Sequence, residues 1–382
     1  IKYDMDNKKA DCLVAESPTV TVFTHGYNSS ARDWLNNAAD IEKEEYFTLQ
    51  YNNESMVEQV INMYGGIENV ILLQAQMTSY EKFDLLKIAL KIEDGKICQD
   101  GNLSIFSKNK MVYGKHYIVI FDCLDGRRND SNNNIYFQFN YMLSSILYDL
   151  KQLDPSHRIP KVNLIGHSRG GLTNMQYALD HPDIVANLIS MGTPYKGSTT
   201  ATIVKNHKDF KGDGINDIIN PDIYNGYKER WNNGYNTLYK DINVLAIGSY
   251  STLPFLCKVA HNDRSEKMFN FWSALLVDAG TAVLTAMDVA TIGIGKTAIR
   301  IVTRILNEIF SQNVATSIAE LLLNEVRFTE DGIVWLSDAI IPLESQLGLS
   351  YNGIKRSTKL FRLSGNYNLQ NIAQWNAPAG HN

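Results

Sequence analysis

A serine flanked by glycines, lying between an apolar run and a helical pattern, constrains this chain more than any other feature. Residues 166–170 read Gly-His-Ser-Arg-Gly. The apolar run 161–165 before them predicts a buried strand, and 171–179 after them predicts a helix that ends at Pro182. A sharp strand-to-helix turn needs such small residues, because the two backbones approach closely there. The alternative interpretation is a glycine-rich turn with no chemistry.

Strand-like and helical patterns alternate along the rest of the chain. A helix over 134–153 carries its apolar residues on one face. Alternation of this kind is typical of an α/β fold, in which helices cover both faces of a doubly wound, mostly parallel sheet. The strands predicted from the sequence lie at 19–23, 116–121, 161–165, 185–191 and 241–248, with a last candidate at 359–363.

Two segments interrupt this alternation within what we expect to be one domain over 1–382. The segment 42–115 is mixed in pattern and predicts a helix around 56–63 with short extra strands. The segment 251–329 is helical in pattern and lacks strand signals, so we expect a helical cap or lid there. Its stretch 269–295 has the length of a membrane-spanning helix, but two aspartates and several glycines interrupt it. Since a charge at the bilayer centre costs about 2.5–3.5 kcal/mol, an amphipathic helix pair is favoured over a spanning helix, either buried in the core or as a mobile cover over an apolar site.

Composition excludes some classes of function. The net charge is −5 and the sequence pI is about 5.9, so the chain lacks the basic field that nucleic-acid binding requires. Four cysteines are widely spaced and form no C-x-x-C pair, which argues against a structural zinc site. We expect no metal and no cofactor. The chain begins at Ile1, so we expect either a removed leader or an excised piece of a longer protein, and a secreted or cell-surface location is favoured.

A nucleophilic serine requires an orienting acid and a general base. In a fold of this kind both follow the serine along the chain, the acid first. Asp331 lies in Glu-Asp-Gly before an apolar run, where a turn can direct its carboxylate inward. The alternative for Asp331 is an ordinary surface Asp-Gly turn. The remaining candidate acids are Asp263, Asp278, Asp288 and Asp338.

His381 is the one histidine that follows Asp331 in the sequence, and nearby proline and glycine indicate a loop. We therefore expect His381 to be the base. The alternative is a frayed terminal histidine, since chain ends are often disordered. The ring of His167, beside the serine, is expected to point away from it. The other histidines fit the role of base less well: His157, His181, His207 and His261.

A His-Gly pair after the first strand predicts part of an oxyanion hole. Gly26 lets the chain turn so that the amide of Tyr27 faces the serine, and the amide of Arg169 is its expected partner. Two aligned donors in a dry pocket typically contribute a few kcal/mol each to the transition state.

Taken together, these motifs resemble those of α/β-hydrolase lipases, with bacterial triacylglycerol lipases as the nearest set. The motifs stand at 24–27, 166–171, 192–198, 331–334 and 380–381. The resemblance implies Ser168 as nucleophile, Asp331 as acid, His381 as base, and the amides of Tyr27 and Arg169 as the oxyanion hole. It also implies that Gly-Thr-Pro at 192–194 is structural and lines the floor of the site. The family often has Gln or Met where Arg169 stands.

The predicted activity is hydrolysis of a lipid or hydrophobic carboxylic ester through an acyl-enzyme. The apolar character of 251–329 favours such a substrate and suggests transient contact with a lipid surface or membrane through that segment. Three alternatives stay open: a short-chain carboxylesterase, an acyltransferase that uses an alcohol in place of water, and a catalytically idle binding or membrane-interaction module of the same fold. Acyl-chain length and headgroup are not determined by the sequence.

Overall fold

The structure is a computed structural model. It describes residues 2–4, 9–11, 20–27, 29–31, 34, 50–51, 54–79, 84–93, 96–99, 112, 114–123, 132–154, 156–198, 201–202, 205, 212–221, 226–234, 237–248, 251–252, 326–329, 332–335 and 341–346.

Fifteen strands lie within these residues. In chain order they are β1 (Lys2–Asp4), β2 (Lys9–Asp11), β3 (Val20–Thr24), β4 (Gln50–Tyr51), β5 (Glu54–Ser55), β6 (Val70–Ser79), β7 (Asp84–Glu93), β8 (Lys96–Gln99), β9 (His116–Asp122), β10 (Val162–His167), β11 (Val185–Met191), β12 (Asn243–Ile247), β13 (Ser251–Thr252), β14 (Val326–Thr329) and β15 (Gly332–Trp335). The helices are α1 (Met56–Met63), α2 (Asn132–Leu153), α3 (Arg169–Asp180), α4 (Gly214–Ile219), α5 (Tyr227–Gly234) and α6 (Leu343–Gln346), with a 3-10 turn at Ile67–Asn69.

Eight strands form the central sheet, in the order β12-β11-β10-β3-β9-β6-β7-β8. The six from β12 to β6 are parallel, and β7 and β8 add an antiparallel edge. In an open parallel sheet, ligands bind beyond the carboxyl ends of the strands. The residues that follow β3, β9, β10 and β11 therefore meet at one edge of this sheet.

Apolar side chains cover both faces of the sheet, as the near-continuous hydrophobic strands require. On one face, α2 and α3 pack Phe139, Leu143 and Met175 against Val22 and Leu164. On the other face, α1 and Trp34 pack against Phe23, Ile120 and Ile165 in a separate cluster. This two-sided arrangement is the doubly wound α/β class predicted from the sequence.

The smaller sheets lie outside the central sheet. β1 pairs with β2, and β4 pairs with β5, each antiparallel. β15 lies between β13 and β14, antiparallel to both, and Thr329 is in register with Gly332. The sequence analysis assigns 251–329 to a cap; of that segment the structure describes only β13 and β14.

Predicted and observed elements agree in the parallel part of the central sheet, whereas the described residues of 251–329, where helix was expected, are the strands β13 and β14. The predicted strand over 185–191 has the observed bounds, and the helix predicted around 56–63 is α1. The helix predicted over 134–153 begins two residues earlier, at Asn132. The sequence analysis did not resolve β6, β7 and β8, which lie in the segment 42–115. The candidate strand at 359–363 and the apolar stretch 269–295 lie outside the described residues.

A row of hydrogen-bonded polar side chains crosses the sheet near the amino ends of its parallel strands. Thr21, Asn163, Asn187 and Asn243 stand in register on four neighbouring strands. Asn243 donates to Asn187 at 3.0 Å, Asn187 to Asn163 at 2.6 Å, and Asn163 to Thr21 at 3.2 Å. The hydroxyl of Thr21 lies 3.0 Å from Nε2 of His116 on β9. We refer to these five residues as the polar ladder.

A buried ion pair joins the edge hairpin to a helix. Nζ of Lys87 on β7 lies 3.1 Å from Oδ2 of Asp149 on α2, and both side chains are about nine-tenths buried. Lys87 is in register with Ala75 of β6, which lies in the core beneath α2. The pair therefore connects α2 to the antiparallel edge of the sheet.

Among the residues described, no helix has both the length and the apolar character needed to cross a bilayer.

Candidate active site

Ser168 lies on the turn between β10 and α3, and its backbone is strained. Its φ of 53° and ψ of −127° place it in a region that residues other than glycine rarely occupy. Its backbone N–H donates to the carbonyl of Met191 on β11 at 2.8 Å, and the serine is 1% exposed. The turn is therefore held from the neighbouring strand, in the strand–serine–helix arrangement that the sequence predicted.

Glycines surround the serine because no larger residue fits. A Cβ on Gly170 would lie 2.4 Å from the carbonyl oxygen of Thr24 and 2.5 Å from that of His25. A Cβ on Gly171 would lie 1.9 Å from Oγ1 of Thr193. These neighbours are backbone or fully buried, so they cannot move aside cheaply. The first turn of α3 thus packs directly against the ends of β3 and β11.

The end of β3 also contacts the serine. A Cβ on Gly26 would lie 2.9 Å from Cβ and 3.4 Å from Oγ of Ser168, so the Gly26 backbone lies beside the hydroxyl. Tyr27 follows directly, and its ring centroid lies 5.4 Å from the guanidinium carbon of Arg169. The backbone N–H of Arg169 is in the first turn of α3, where the helix dipole presents partial positive charge. The structure thus brings together Ser168, Tyr27 and Arg169.

His25 is buried behind this loop in a cluster of polar groups. Its Nδ1 lies 2.9 Å from the carbonyl oxygen of Gly26, and its Nε2 lies 3.0 Å from Sγ of Cys123 and 3.7 Å from Oδ1 of Asp122. Burial lowers the pKa of His25 and the nearby Arg169 lowers it further, whereas Asp122 and the Gly26 carbonyl oppose the shift. Desolvation is the largest effect, so the imidazole is neutral near pH 7.

Asp122 is held by donors from two other segments. The backbone N–H of Ala31 donates to its Oδ1 at 3.2 Å, and Nε2 of Gln74 donates to its Oδ2 at 3.0 Å. Both Asp122 and Cys123 stand at the carboxyl end of β9, the strand beside β3. The strand predicted from the sequence ends at 121, and neither residue was predicted to have a role. Adjacency of β9 and β3 was the missing information, since it brings these two side chains to His25.

The segment after β11 packs against the first turn of α3, close to the serine. Gly192 has a φ of 57°, and Thr193 is fully buried against the glycines of α3. Tyr195 is also buried. The hydroxyl of Ser345 in α6 accepts from the N–H of Lys196 at 3.0 Å and donates to the carbonyl of Gly197 at 2.6 Å. A late part of the chain therefore packs beside this segment.

The histidines rejected as bases engage in other contacts. Nδ1 of His167 would lie 3.2 Å from a Cβ on Gly26, so its ring packs at the end of β3. His181 lies 3.1 Å from Oδ1 of Asn140 and packs against Tyr177. His157 has a positive φ and lies in the turn after α2. The expected acid Asp331 and the expected base His381 both lie outside the described residues, as do His207 and His261.

In the part of the chain that the structure describes, no group of three or more His, Cys, Asp or Glu side chains is arranged to hold a metal ion.

Comparison with known proteins gives one family-model match that includes the serine and several partial matches to lipases. The α/β-hydrolase fold family model matches residues 122–213. A triacylglycerol lipase of Pseudarthrobacter phenanthrenivorans is 43% identical over 60 residues, which are 16% of this chain and 19% of that protein. A triacylglycerol lipase of Burkholderia plantarii is 43% identical over 60 residues, which are 16% of this chain and 17% of that one. A third, from Vibrio cholerae, is 51% identical over 45 residues, which are 12% of this chain and 14% of the lipase.

A solved structure is also similar: that of a Bacillus licheniformis lipase in its mature form. It is 15% identical, has a TM-score of 0.31, and covers 64% of this chain and 72% of that one. The chain matches less than a fifth of the length of the curated lipases. The family model and the sheet order agree with the fold predicted from the sequence. The chain is therefore an α/β-hydrolase-fold protein that resembles bacterial triacylglycerol lipases.

Proposed function

We propose that this chain hydrolyses lipid or hydrophobic carboxylic esters through a covalent acyl-enzyme on Ser168. The observation that carries the proposal is the strained serine at the strand-to-helix turn, with Gly26 beside its hydroxyl. Strain of this kind is expensive and persists where the surrounding structure enforces it, which is typical of catalytic positions. The match of the α/β-hydrolase fold family model to 122–213, a range that includes Ser168, and the partial similarity to triacylglycerol lipases support it.

In the proposed reaction, His381 takes the proton of Ser168 as the hydroxyl attacks the ester carbonyl. The amides of Tyr27 and Arg169 donate to the oxyanion of the tetrahedral intermediate. His381 then protonates the leaving alcohol, and an acyl-enzyme remains. Water, deprotonated by His381, releases the acid. Asp331 keeps the imidazole of His381 in the required tautomer and stabilises its charged form.

Arg169 gives this site a feature that neutral residues at the same position would lack. Its side chain is about 1% exposed, and its guanidinium contacts the Tyr27 ring. The two residues proposed to form the oxyanion hole are thus joined through their side chains. A cation–π contact that is shielded from water is worth about 2 kcal/mol. We propose that this contact holds the two amides at a constant separation.

Labelling with a fluorophosphonate probe tests the nucleophile. The intact chain should be labelled stoichiometrically at Ser168, and Ser168→Ala should not be labelled. Asp331→Asn should lower the labelling rate far more than Asp263→Asn, Asp278→Asn or Asp288→Asn, and His381→Ala should abolish labelling while the protein stays folded. Labelling that survives Ser168→Ala would show that Ser168 is not the nucleophile, and absence of labelling in the intact chain would favour an idle module of the same fold.

The proposed cap, 251–329, accounts for the preference for lipid esters. A helical segment with a broad apolar face is costly to expose to water, at about 25 cal/mol per Å². It should close over the serine in solution and open at a lipid surface. Hydrolysis of a long-chain ester should therefore rise sharply once the ester forms an interface. Replacing Leu275, Leu276 and Val277 by Ser should reduce this rise, whereas simple saturation across the solubility limit would indicate a short-chain esterase.

A further inference from the structure

The loop that carries Tyr27 has a support that the proposed mechanism does not use. This support consists of three groups behind the loop: the buried His25 and Cys123, and the partly buried Asp122. We propose that His25 is a positioning residue: its ring holds the Gly26–Tyr27 peptide so that the Tyr27 N–H faces the ester oxygen at Ser168, and the Cys123 thiol fixes the ring tautomer that does so. This inference rests on the proposed ester hydrolysis.

Three features of the structure support this role, and the first is the direction of one hydrogen bond. A carbonyl oxygen only accepts, so the contact of 2.9 Å between Nδ1 and the Gly26 oxygen requires a proton on Nδ1. The imidazole is neutral, because burial lowers the pKa of His25. A neutral imidazole with a proton on Nδ1 has a lone pair on Nε2. The Cys123 thiol, 3.0 Å from Nε2, must then be the donor.

The second feature is the planarity of the peptide group. The carbonyl of Gly26 and the N–H of Tyr27 belong to one trans peptide and point in opposite directions. Fixing the oxygen on the His25 ring therefore fixes the N–H on the other side of the chain. Gly26 itself lies beside the Ser168 hydroxyl. The alternative tautomer, with the proton on Nε2, would place two lone pairs against each other at Gly26 and release this peptide.

The third feature is the rigidity of the contacts that hold the His25 ring. The ring of His25 stacks on Phe121, with centroids 6.2 Å apart and an interplanar angle of 12°. Asp122 lies 3.7 Å from Nε2 but is already held by Ala31 and Gln74. These contacts come from β9, β6 and the loop after β3. The orientation of one catalytic amide is thus set by the strand beside β3, on the side away from the serine.

Paired substitutions test the proposal. His25→Leu removes the donor to Gly26, whereas His25→Asn retains an amide N–H near the position of Nδ1. Because removal of one oxyanion donor typically costs about 10²–10³ in kcat, we expect His25→Leu to lower kcat for a hydrophobic ester by about 10- to 100-fold, with KM little changed. His25→Asn should recover part of the loss. Cys123→Val should resemble His25→Leu in direction, and Cys123→Ser should stay close to the unaltered protein.

The matched control is the other buried histidine of the sheet. His116 is also buried and its pKa is also lowered by desolvation, but it lies at the amino end of β9. His116→Leu should reduce stability and leave kcat per folded molecule unchanged. A loss of kcat for His116→Leu equal to that for His25→Leu would overturn the proposal, because general loosening of the sheet would then explain both.

An ester and its thiono analogue, with sulfur in place of the carbonyl oxygen, separate positioning from packing. Sulfur is the poorer hydrogen-bond acceptor, so a loosened amide costs the oxygen ester more. His25→Leu should lower the ratio of oxygen-ester to thiono-ester kcat by about 10-fold or more. An unchanged ratio, with the unaltered protein active, would overturn the inference. Absence of activity in the unaltered protein would instead exclude the proposed function.

The tautomer itself can be measured without any turnover. The ¹⁵N chemical shifts of the His25 ring distinguish a proton on Nδ1 from one on Nε2. We expect Nδ1–H in the unaltered protein and in Cys123→Ser, and a mixture of tautomers in Cys123→Val. Nε2–H in the unaltered protein would overturn the proposal whether or not the chain hydrolyses esters.

Discussion

The amino ends and the carboxyl ends of the parallel strands differ in how fully their buried polar groups are hydrogen-bonded. At the amino ends, the polar ladder pairs side chains with one another from His116 across to Asn243. At the carboxyl ends, glycines replace side chains, the backbone of Ser168 is strained, and two buried atoms beneath the turn, Asn174 Nδ2 and Thr193 Oγ1, have no hydrogen-bond partner among the described residues. Polar side chains are thus hydrogen-bonded to one another at the amino ends, whereas two buried polar atoms near the carboxyl ends lack a hydrogen bond within the described part of the chain. The difference indicates where stability is given up for chemistry.

The largest expected effect is on chemistry at the carboxyl end. Ser168→Ala should lower turnover of a hydrophobic ester by about 10⁴–10⁶-fold, because the members of a catalytic triad act as a unit. Thr21→Val in the polar ladder should leave turnover per folded molecule unchanged. Steady-state kinetics, corrected for the folded fraction, measure the turnover of both variants. More than a few per cent of residual activity in Ser168→Ala would remove the distinction between the two ends.

The second effect is on packing. Gly170→Ala should destabilise the fold by about 3 kcal/mol or more, because the new methyl group would meet the backbone oxygens of Thr24 and His25. The matched control is Gly226→Ala, since Gly226 has a φ of +49° and nothing within 4 Å of a Cβ. It should cost about 1 kcal/mol, from backbone conformation alone. Urea denaturation compares the two, and equal losses would show that the turn has room to relax.

The third effect belongs to the amino end. Asn163→Leu should cost about 1–3 kcal/mol, since it leaves both Thr21 and Asn187 without their partner on β10. Asn243→Ala, at the exposed end of the polar ladder, should change stability by less than about 0.5 kcal/mol. Both free energies of unfolding are accessible by denaturant titration. A loss at Asn243 as large as that at Asn163 would mean that the polar ladder acts as a single cooperative unit.

The fourth effect is a pH dependence that arises at the amino end. Burial lowers the pKa of His116 from 6.5 to about 3. Between those values the unfolded chain binds a proton that the folded chain does not, so stability is full above pH 6.5 and falls as the pH drops towards 3. The slope from one such group is at most about 1.4 kcal/mol per pH unit.

Substitution isolates the contribution of His116. His116→Gln should flatten the decline in unfolding free energy measured between about pH 6 and about pH 4. The pKa of His25 is lowered as well, so part of the decline should persist in His116→Gln. An identical pH profile in both proteins would show that His116 is not the group responsible.

The smallest effect concerns the side-chain contact between the two proposed oxyanion residues. Tyr27→Leu removes the ring under the Arg169 guanidinium and should lower kcat by about 2- to 10-fold, less than the full value of the contact, because the contact acts on the two amides only indirectly. Tyr27→Phe keeps the ring and should lose less. If the two variants lose equally, the Tyr27 hydroxyl matters and the ring contact does not.

The sequence predicted the parts of this molecule that depend on local signals. The strand, serine and helix around Ser168 are adjacent along the chain, so their pattern was visible in 161–182, and the strand over 185–191 was likewise recognisable from its apolar run. The order of the strands was not visible. β6 is the next strand of the central sheet along the chain after β3, but β9 is the strand that lies beside β3. The contact of His25 with Asp122 and Cys123 therefore joins residues almost 100 positions apart. No periodicity in the sequence carries that information.

The polar ladder was missed for a related reason. Each asparagine looks like a poor strand residue when its own segment is considered alone. Only the register of β3, β10, β11 and β12 shows that the four side chains satisfy one another. The antiparallel strand β7 was missed as well, since Lys87 interrupts its apolar face. Pairing with distant strands, and not local propensity, determines that these polar residues lie in strands.

The ion pair of Lys87 and Asp149 has a consequence for how the edge hairpin assembles. Side chains alternate across a strand, so a shift of β7 by one residue would move Lys87 to the opposite face and bring Ile88 or Leu86 under α2. Asp149 would then be buried without a counter-ion, which costs far more than the correct pair gains. The ion pair therefore raises the free energy of hairpins in the wrong register by more than it stabilises the correctly folded sheet.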